Sequence, residues 1–407
     1  MATGRIVDFE EAVGIVLEEA RRCVPRASET VPLLSSVGSV LAQAVEADRD
    51  QPPFDRSTRD GFAVRAEALA SGAWLKVLGQ VRAGEVWAAE AVGPASAVEI
   101  MTGAPLPRGA DAVVMIEHIE REDGAIRLLA GRKLRAGENV VLRGSEALAG
   151  EQVLASGTRI GAAEIALAAA CGCAQVAVFR RPGVAIVATG DELVEVAETP
   201  QPEQIRNSNS YALAALVSLA GGEPERLAIA RDIRDEIRER VDSGRRADLL
   251  VFSGGVSMGE YDLVEDVLAG FGAEFFFTGV RMQPGRPVVF GRLPERDGAP
   301  AIYFFGLPGN PISTQVTFHC FVEPMLRTMA GESGVGLRWT HATLAGDEPA
   351  KPGLTRLLPA RIDAGGVTLV GWQGSGDLAA NARANCYAEL PPGQEYRVGA
   401  ALRVLLR

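Results

Sequence analysis

The stretch "VFSGGVSMGEYD" spans residues 251–262. An apolar run, Leu249 to Phe252, stops at Ser253-Gly254-Gly255, and the acids Glu260 and Asp262 stand just before a helix-like segment. A buried strand that ends this way has two readings. It is a tight turn that needs glycine, or a cradle whose backbone N–H groups face a phosphate with a metal-binding carboxylate beside it. The surrounding pattern sets the kind of domain. Strand candidates "VAIVAT", "ERLAIA", "DLLVFS" and "AIYFFG" alternate with helix candidates "SYALAALVSLA", "RDEIRERVDS", "LVEDVLAGF" and "ISTQVTFHCFVEPML" over residues 183–330. Alternation of this kind predicts an α/β domain with a doubly wound, largely parallel sheet.

Three of those strands end in glycine-bearing turns: Thr189-Gly190-Asp191-Glu192, Ser253-Gly254-Gly255, and Gly306-Leu307-Pro308-Gly309-Asn310-Pro311. In an open parallel sheet, ligands bind outside the carboxyl ends of the strands. One such turn is ordinary βα punctuation, whereas three at one edge predict an anion site. No Gly-Lys-Ser/Thr and no G-x-G-x-x-G occurs, which disfavours a P-loop and a dinucleotide cofactor. Gly255 to Gly259 matches G-x-S-x-G, but two glycines separate Ser257 from the strand end, so the nucleophile-elbow reading is discounted. Glu192, Asp232 and Asp262 each follow a strand candidate. Converging acids beside a phosphate suit Mg²⁺, which shares oxygen ligands with its substrate. The plain alternative makes Asp232 a helix N-cap and leaves Glu192 and Asp262 solvated. "MQPGRPVVFGRL" adds Gln283 and Arg286 at a Pro-Gly turn; an arginine there can hold an oxyanion bidentately, or can be an ordinary surface residue.

Elsewhere, residues 8–23 read as an amphipathic helix with Phe9, Val13, Val16 and Ala20 on one face. A second helical run is expected from Leu33 to Gln43. From Pro52-Pro53 to about residue 145, short apolar pieces between Gly and Pro turns predict an inserted β domain. Within it, "PPFDRSTRDGFAVR" places Asp60-Gly61 in a charged loop, and "MTGAPLPRGADAVV" is a rigid turn with Thr102 as a hydroxyl donor. Residues 148–180 mix helix and short strand, and residues 338–407 predict a small β domain.

The bulk numbers exclude several classes. With 407 residues, two to four domains are expected. A net charge of −11 argues against a nucleic-acid-binding body while leaving room for one small anionic ligand in a cleft. Five cysteines, with Cys171 and Cys173 in an Ala-rich stretch, fit buried small residues in a reducing, cytoplasmic compartment. His118, His319 and His341 lie far apart, without zinc spacing. No window reads as a membrane span, and Asp8, Glu10 and Glu11 do not fit a signal peptide.

Taken together, the chain resembles the molybdopterin molybdenumtransferase family, that is MoeA and the E domain of gephyrin. The motifs, in order, are "PPFDRSTRDGFAVRA", "IMTGAPLPRGADAVVMIE", "LRGSEALAG", "GTRIGAAEIALAAACG", "VAIVATGDELV", "NSNSYALAALV", "LLVFSGGVSMGEYDLVEDVL", "QPGRPVVFG" and "FGLPGNPISTQVTF". The resemblance implies four parts. Residues 1–50 and 146–180 form an elongated helical and β domain, 51–145 an inserted β domain, 181–332 a molybdopterin-binding α/β domain, and 333–407 a β-barrel-like domain. It implies elongated homodimers whose cleft lies between the α/β domain of one subunit and the inserted domain of the other. The implied reaction converts adenylylated molybdopterin and molybdate, with Mg²⁺ present, into molybdenum cofactor and AMP, with an adenylyltransferase as a possible partner that hands over the substrate.

Carried onto this sequence, the resemblance assigns Asp262, with Glu192 and Asp232, to the metal side. Ser253, Gly254, Gly255 and Ser257 take the pterin-side phosphate, with Thr189 and Gly190 at the same edge. Pro308, Asn310 and Pro311 shape the pocket, and Arg286 attracts molybdate. Asp60 and Thr102 close the cleft from the partner subunit, Asp60 counted with the catalytic acids. The chain departs from the family pattern in three places. Gln283 and Arg286 stand in a common Lys-Pro-Gly-Lys-Pro, Ser145 and Glu146 stand where the family has Glu-Asp, and Arg59 replaces an often apolar residue. Glu146 keeps the second acid of its motif and is counted with the substrate-binding residues. A non-catalytic molybdopterin-binding or scaffolding paralogue, or a tungstate-using variant, is the alternative.

Overall fold

The computed structural model describes residues 5–25, 27–256, 263–296, 298 and 300–407. The chain divides into two compact units, one of Met1–Ala42, Gly157–Gly161 and Gln175–Arg407, the other of Gln43–Ser156 and Ala162–Ala174.

The first unit is built on a six-stranded sheet in the order Glu223–Arg226, Gly183–Ala188, Leu249–Ser253, Ile302–Leu307, Val289–Leu293, Glu274–Phe277. The first four strands are parallel, and the last two join antiparallel. Successive strand residues point to opposite faces, and here both faces are buried. Val184, Ile186, Leu249, Val251 and Phe305 enter one core with Phe9, Val16, Leu213, Ile312 and Met325. Ala185, Val187, Leu250, Phe252 and Phe304 enter the other with Ile237, Val241, Val264 and Leu268. Helices therefore cover both sides, which is why these strands read as continuous apolar runs. The fold class is the expected doubly wound α/β type. The antiparallel edge was not anticipated beyond "largely parallel". Along it the Phe290 and Phe305 rings, register partners on neighbouring antiparallel strands, stack at 4.5 Å.

The amphipathic helix forms over Phe9–Ala20 and buries Phe9, Ala12, Val13, Val16 and Ala20. The helix expected from Leu33 to Gln43 does not form. A single 3-10 turn, Leu33–Ser36, gives way to extended Val37 and to Gly38 at φ +78°. Val40 and Leu41 then bridge antiparallel to Arg159 and Val178. A left-handed glycine ends a helix readily, and pairing with distant strands replaces the lost i→i−4 bonds.

A second sheet in this unit contains Trp339–Thr343, Thr355–Asp363, Gly366–Leu369, Cys386–Leu390 and Ala401–Leu406. Met282–Gln283 adds to it parallel to Thr355–Arg356, with Gln283 opposite Arg356.

The other unit holds a six-stranded mixed sheet in the order Ala112–Met115, Gly61–Val64, Ser96–Ile100, Leu75–Val81, Ala125–Leu128, Ile119–Glu122. It also holds the helix Ala162–Ala170, in which only Ala168 is buried. Among the described residues no helix is long and apolar enough to cross a membrane.

Candidate active site

From Gly183–Ala188 the chain crosses to Glu223–Arg226 on one side, then returns past its start to Leu249–Ser253 on the other. Where the order reverses, the two following loops part and leave a crevice at the carboxyl ends. Thr189 and Ser253 stand on either side of it. The Thr189 N–H donates to the Ser253 carbonyl at 3.0 Å, and the Gly254 N–H to the Leu307 carbonyl at 3.0 Å. Gly254 has φ +95°, and a Cβ there would sit 2.6 Å from the Thr189 carbonyl oxygen. Only glycine allows both the left-handed backbone and that approach.

A cavity of about 780 Å³ opens over these ends, within the range of small-molecule sites. Thr189, Gly190, Glu192, Asp232, Ser253, Gly254, Gly255, Pro308, Asn310 and Pro311 all line it. All three strand-end turns read from the sequence thus face one hollow. Two helices start at its wall. In Ser208–Ala220, Asn207 is the N-cap, and its Oδ1 accepts from the Ser210 N–H at 3.2 Å. The second, Pro311–Thr317, carries proline in its first turn. The start of Ser208–Ala220 directs N–H groups and positive potential at an anion, whereas in the second helix Pro311 has no N–H and the Ile312 N–H donates to the Ser375 carbonyl at 2.8 Å. The hydroxyl oxygen of Thr189, a residue 4% exposed, has no hydrogen-bond partner among the described residues.

Among the described residues two carboxylates, Glu192 and Asp232, line the cavity. Glu192 folds back over Gly190, where an added Cβ would lie 2.5 Å from Glu192 Oε2. The Asp232 N–H donates to Asp191 Oδ1 at 3.1 Å. Asp232 is not the cap of the next helix, which spans Arg234–Gly244 with Ile233 as its N-cap. Asp262 and Ser257 lie outside the described residues. Among the described residues no group of three His, Cys, Asp or Glu side chains is placed to hold a metal ion.

Gln283 and Arg286 line a neighbouring depression of about 460 Å³, which shares Pro287, Pro308 and Asn310 with the main cavity. Gln283 also faces a smaller recess with Lys351 and Arg356. Arg356 is 2% exposed, and its guanidinium donates to Glu348 and, at 3.0 Å, to the Pro349 carbonyl.

Asp60, Thr102 and Glu146 belong to the other compact unit. Thr102 donates to Asp60 Oδ1 twice, from its N–H at 2.7 Å and from its hydroxyl at 2.9 Å. Those two bonds, the backbone one foremost, hold the Asp60 carboxyl below the usual carboxylate range. Glu146 pairs with Arg56 at 3.1 Å, both exposed.

Sequence reasoning missed several wall residues. Asn207, Ser208 and Asn209 carry a readable signal, Asn and Ser ahead of an apolar run, which marks a helix start. Gly376 and Leu378, from the C-terminal region, carry none. Asn209 stands out: its side-chain amide donates to Ser253 Oγ at 2.9 Å and to the Gly309 carbonyl at 2.7 Å.

Comparison with known proteins finds relatives along most of the chain. Residues 7–172 match the family model of the MoeA N-terminal region (domain I and II), residues 185–328 that of a probable molybdopterin binding domain, and residues 341–406 that of the MoeA C-terminal region (domain IV). A molybdopterin molybdenumtransferase of Staphylococcus aureus is 35% identical over 392 residues, covering 93% of this chain and 90% of that protein. One from Nostoc sp. is 40% identical over 310 residues, covering 75% and 70%. The crystal structure of a molybdopterin biosynthesis MoeA protein from Pyrococcus horikoshii superposes with a TM-score of 0.77 at 29% identity, over 99% of this chain and 100% of that one.

Proposed function

The chain belongs to the molybdopterin molybdenumtransferase family, and from that membership we propose how its residues carry out molybdenum insertion. The protein is a transferase of molybdenum cofactor biosynthesis that inserts molybdenum into molybdopterin. Its substrate is adenylylated molybdopterin, and the products are molybdenum cofactor and AMP. One observation carries this reading: three strand-end turns, two helix N-termini and two carboxylates line one cavity of about 780 Å³.

The Gly255 N–H and the start of Ser208–Ala220 bind phosphate oxygens, which lose little on leaving water because preorganised donors replace it, while the Gly254 N–H holds the turn to the Leu307 carbonyl. Pro308, Asn310 and Pro311 close the wall against which the ligand lies. Arg286, with Gln283 beside it, draws molybdate into the adjoining depression. The donor set suits Mg²⁺. That ion takes one or two carboxylates, keeps several waters and shares phosphate oxygens with the substrate, so a pair of acids is enough. Glu192 and Asp232 would hold it, joined by Asp262, and when bound it would neutralise charge on the phosphate oxygens. Asp60 and Thr102 complete the site from a second subunit, and Glu146 assists in binding. The four-part division at residues 50, 145, 180 and 332 is part of the same reading.

A homodimer is supported by the helix Ala162–Ala170. Ala162, Ala163, Ala166, Ala169 and Ala170 are exposed on it, and spacings of three and four place them along one face. Small residues let two such helices approach closely. The expected compartment is the cytoplasm, and an adenylyltransferase is the expected donor of substrate.

The test is direct. Purified protein is incubated with adenylylated molybdopterin, Mg²⁺ and molybdate. Release of AMP with formation of active cofactor is the expected result. Tight binding without AMP would assign the protein a scaffolding role instead, the outcome that loss of the family's lysine at Gln283 favours.

A further inference from the structure

We propose that Asn209 is a positioning residue for this reaction: its side-chain amide locks the Ser253 turn to the Gly309 turn, so that both face one phosphate-bearing ligand. The inference rests on the reading of the cavity as the substrate site. A carboxamide nitrogen carries two hydrogens, and both are used here, one on Ser253 Oγ at 2.9 Å and one on the Gly309 carbonyl at 2.7 Å. No smaller or acidic side chain can do both. Alanine and aspartate offer no donor, and serine offers one.

The geometry explains why the two turns need fastening. Ser253 and Leu307 are the last register partners of their strands. Past them the ladder ends, and among the backbone bonds of the described residues the Gly254 N–H, bonded back to the Leu307 carbonyl, ties the first turn to the second strand. The loops remain close, since a Cβ on Gly309 would lie 3.6 Å from Gly254 Cα. Asn209 closes that gap from a third element. It sits in the first turn of Ser208–Ala220, which is anchored by the Asn207 cap and by buried Leu213 and Val217. Fixing the turns before the ligand arrives removes an ordering cost from binding.

The test compares the full-length chain with its Asn209→Ala, Ser253→Ala and double variants. Calorimetry gives Kd for adenylylated molybdopterin, turnover gives kcat and KM, and thermal melting reports the fold. Asn209→Ala is expected to raise Kd and KM about tenfold with melting close to that of the parent. In the Ser253→Ala background the same substitution is expected to cost about threefold or less, because the two residues act through one bond. Asn209→Ser keeps one donor, is expected to fall between parent and alanine, and carries the test alone if the alanine variant is insoluble. Unchanged Kd and KM overturn the inference. So does a drop in melting temperature with KM unaltered, and so does full additivity in the double variant. A parent chain that neither binds nor turns over the substrate removes the functional reading and the inference with it, whereas an active parent beside an unaffected Asn209→Ala removes the inference alone.

Discussion

Asp60 and Thr102 stand 42 positions apart, yet one carboxylate oxygen accepts both the backbone and the hydroxyl bond of Thr102. Both bonds favour the charged form, so the folded-state pKa lies below the unfolded one. The resulting stability is full above the unfolded value of about 3.9 and is lost as pH falls through the folded one. Thr102→Val removes the hydroxyl and keeps the N–H. The Asp60 midpoint, followed by carboxyl NMR, should therefore rise part of the way to the ordinary value, and an unmoved midpoint would contradict the assignment. Gln283 allows a second residue-scale prediction. Gln283→Lys restores a cation near Arg286 at an exposed site, where about 1 kcal/mol of attraction is realistic. The molybdate KM should drop about fivefold, with tungstate measured in parallel. No change would place molybdate elsewhere.

At the scale of elements, Leu249–Ser253 determines most of what surrounds it. All five of its residues are buried, with Leu249 and Val251 in one core and Leu250 and Phe252 in the other. Leu250→Ala leaves a cavity in a fully buried core that also holds Ala185, Phe304, Ile237 and Val264, so a loss of about 2–5 kcal/mol is expected from urea melts. A loss under about 1 kcal/mol would mean that this face is not close-packed. The strand was legible as an apolar run ending in Ser-Gly-Gly, and the amphipathic helix Phe9–Ala20 was legible from its period. The run from Leu33 to Gln43 was misread, because its apolar residues fit a helical period while Gly38 and the partners at Arg159 and Val178 dictated otherwise. A local pattern cannot report a partner more than a hundred residues away.

For the whole molecule, the exposed alanine face of Ala162–Ala170 predicts self-association. Ala166→Glu places a charge in the middle of that face, and light scattering after size exclusion should show a dimeric mass for the parent chain and a monomeric one for the variant. An unshifted mass would move the interface elsewhere. The net charge of −11 does not oppose binding an anion at the strand ends. There the donors are backbone N–H groups and helix termini, whose field is local and independent of the total.

The amino-acid sequence alone determined the fold class, the family and the positions of the glycine turns. These are carried by period, composition and motif order, which are properties of neighbouring residues. Tertiary structure decided the strand order, the antiparallel edge, the meeting of three turns in one hollow, and the fastening of two of them by Asn209. Those depend on which distant segments pair, and a side chain with two donors has no visible task until both acceptors, 44 and 100 positions away, are brought beside it.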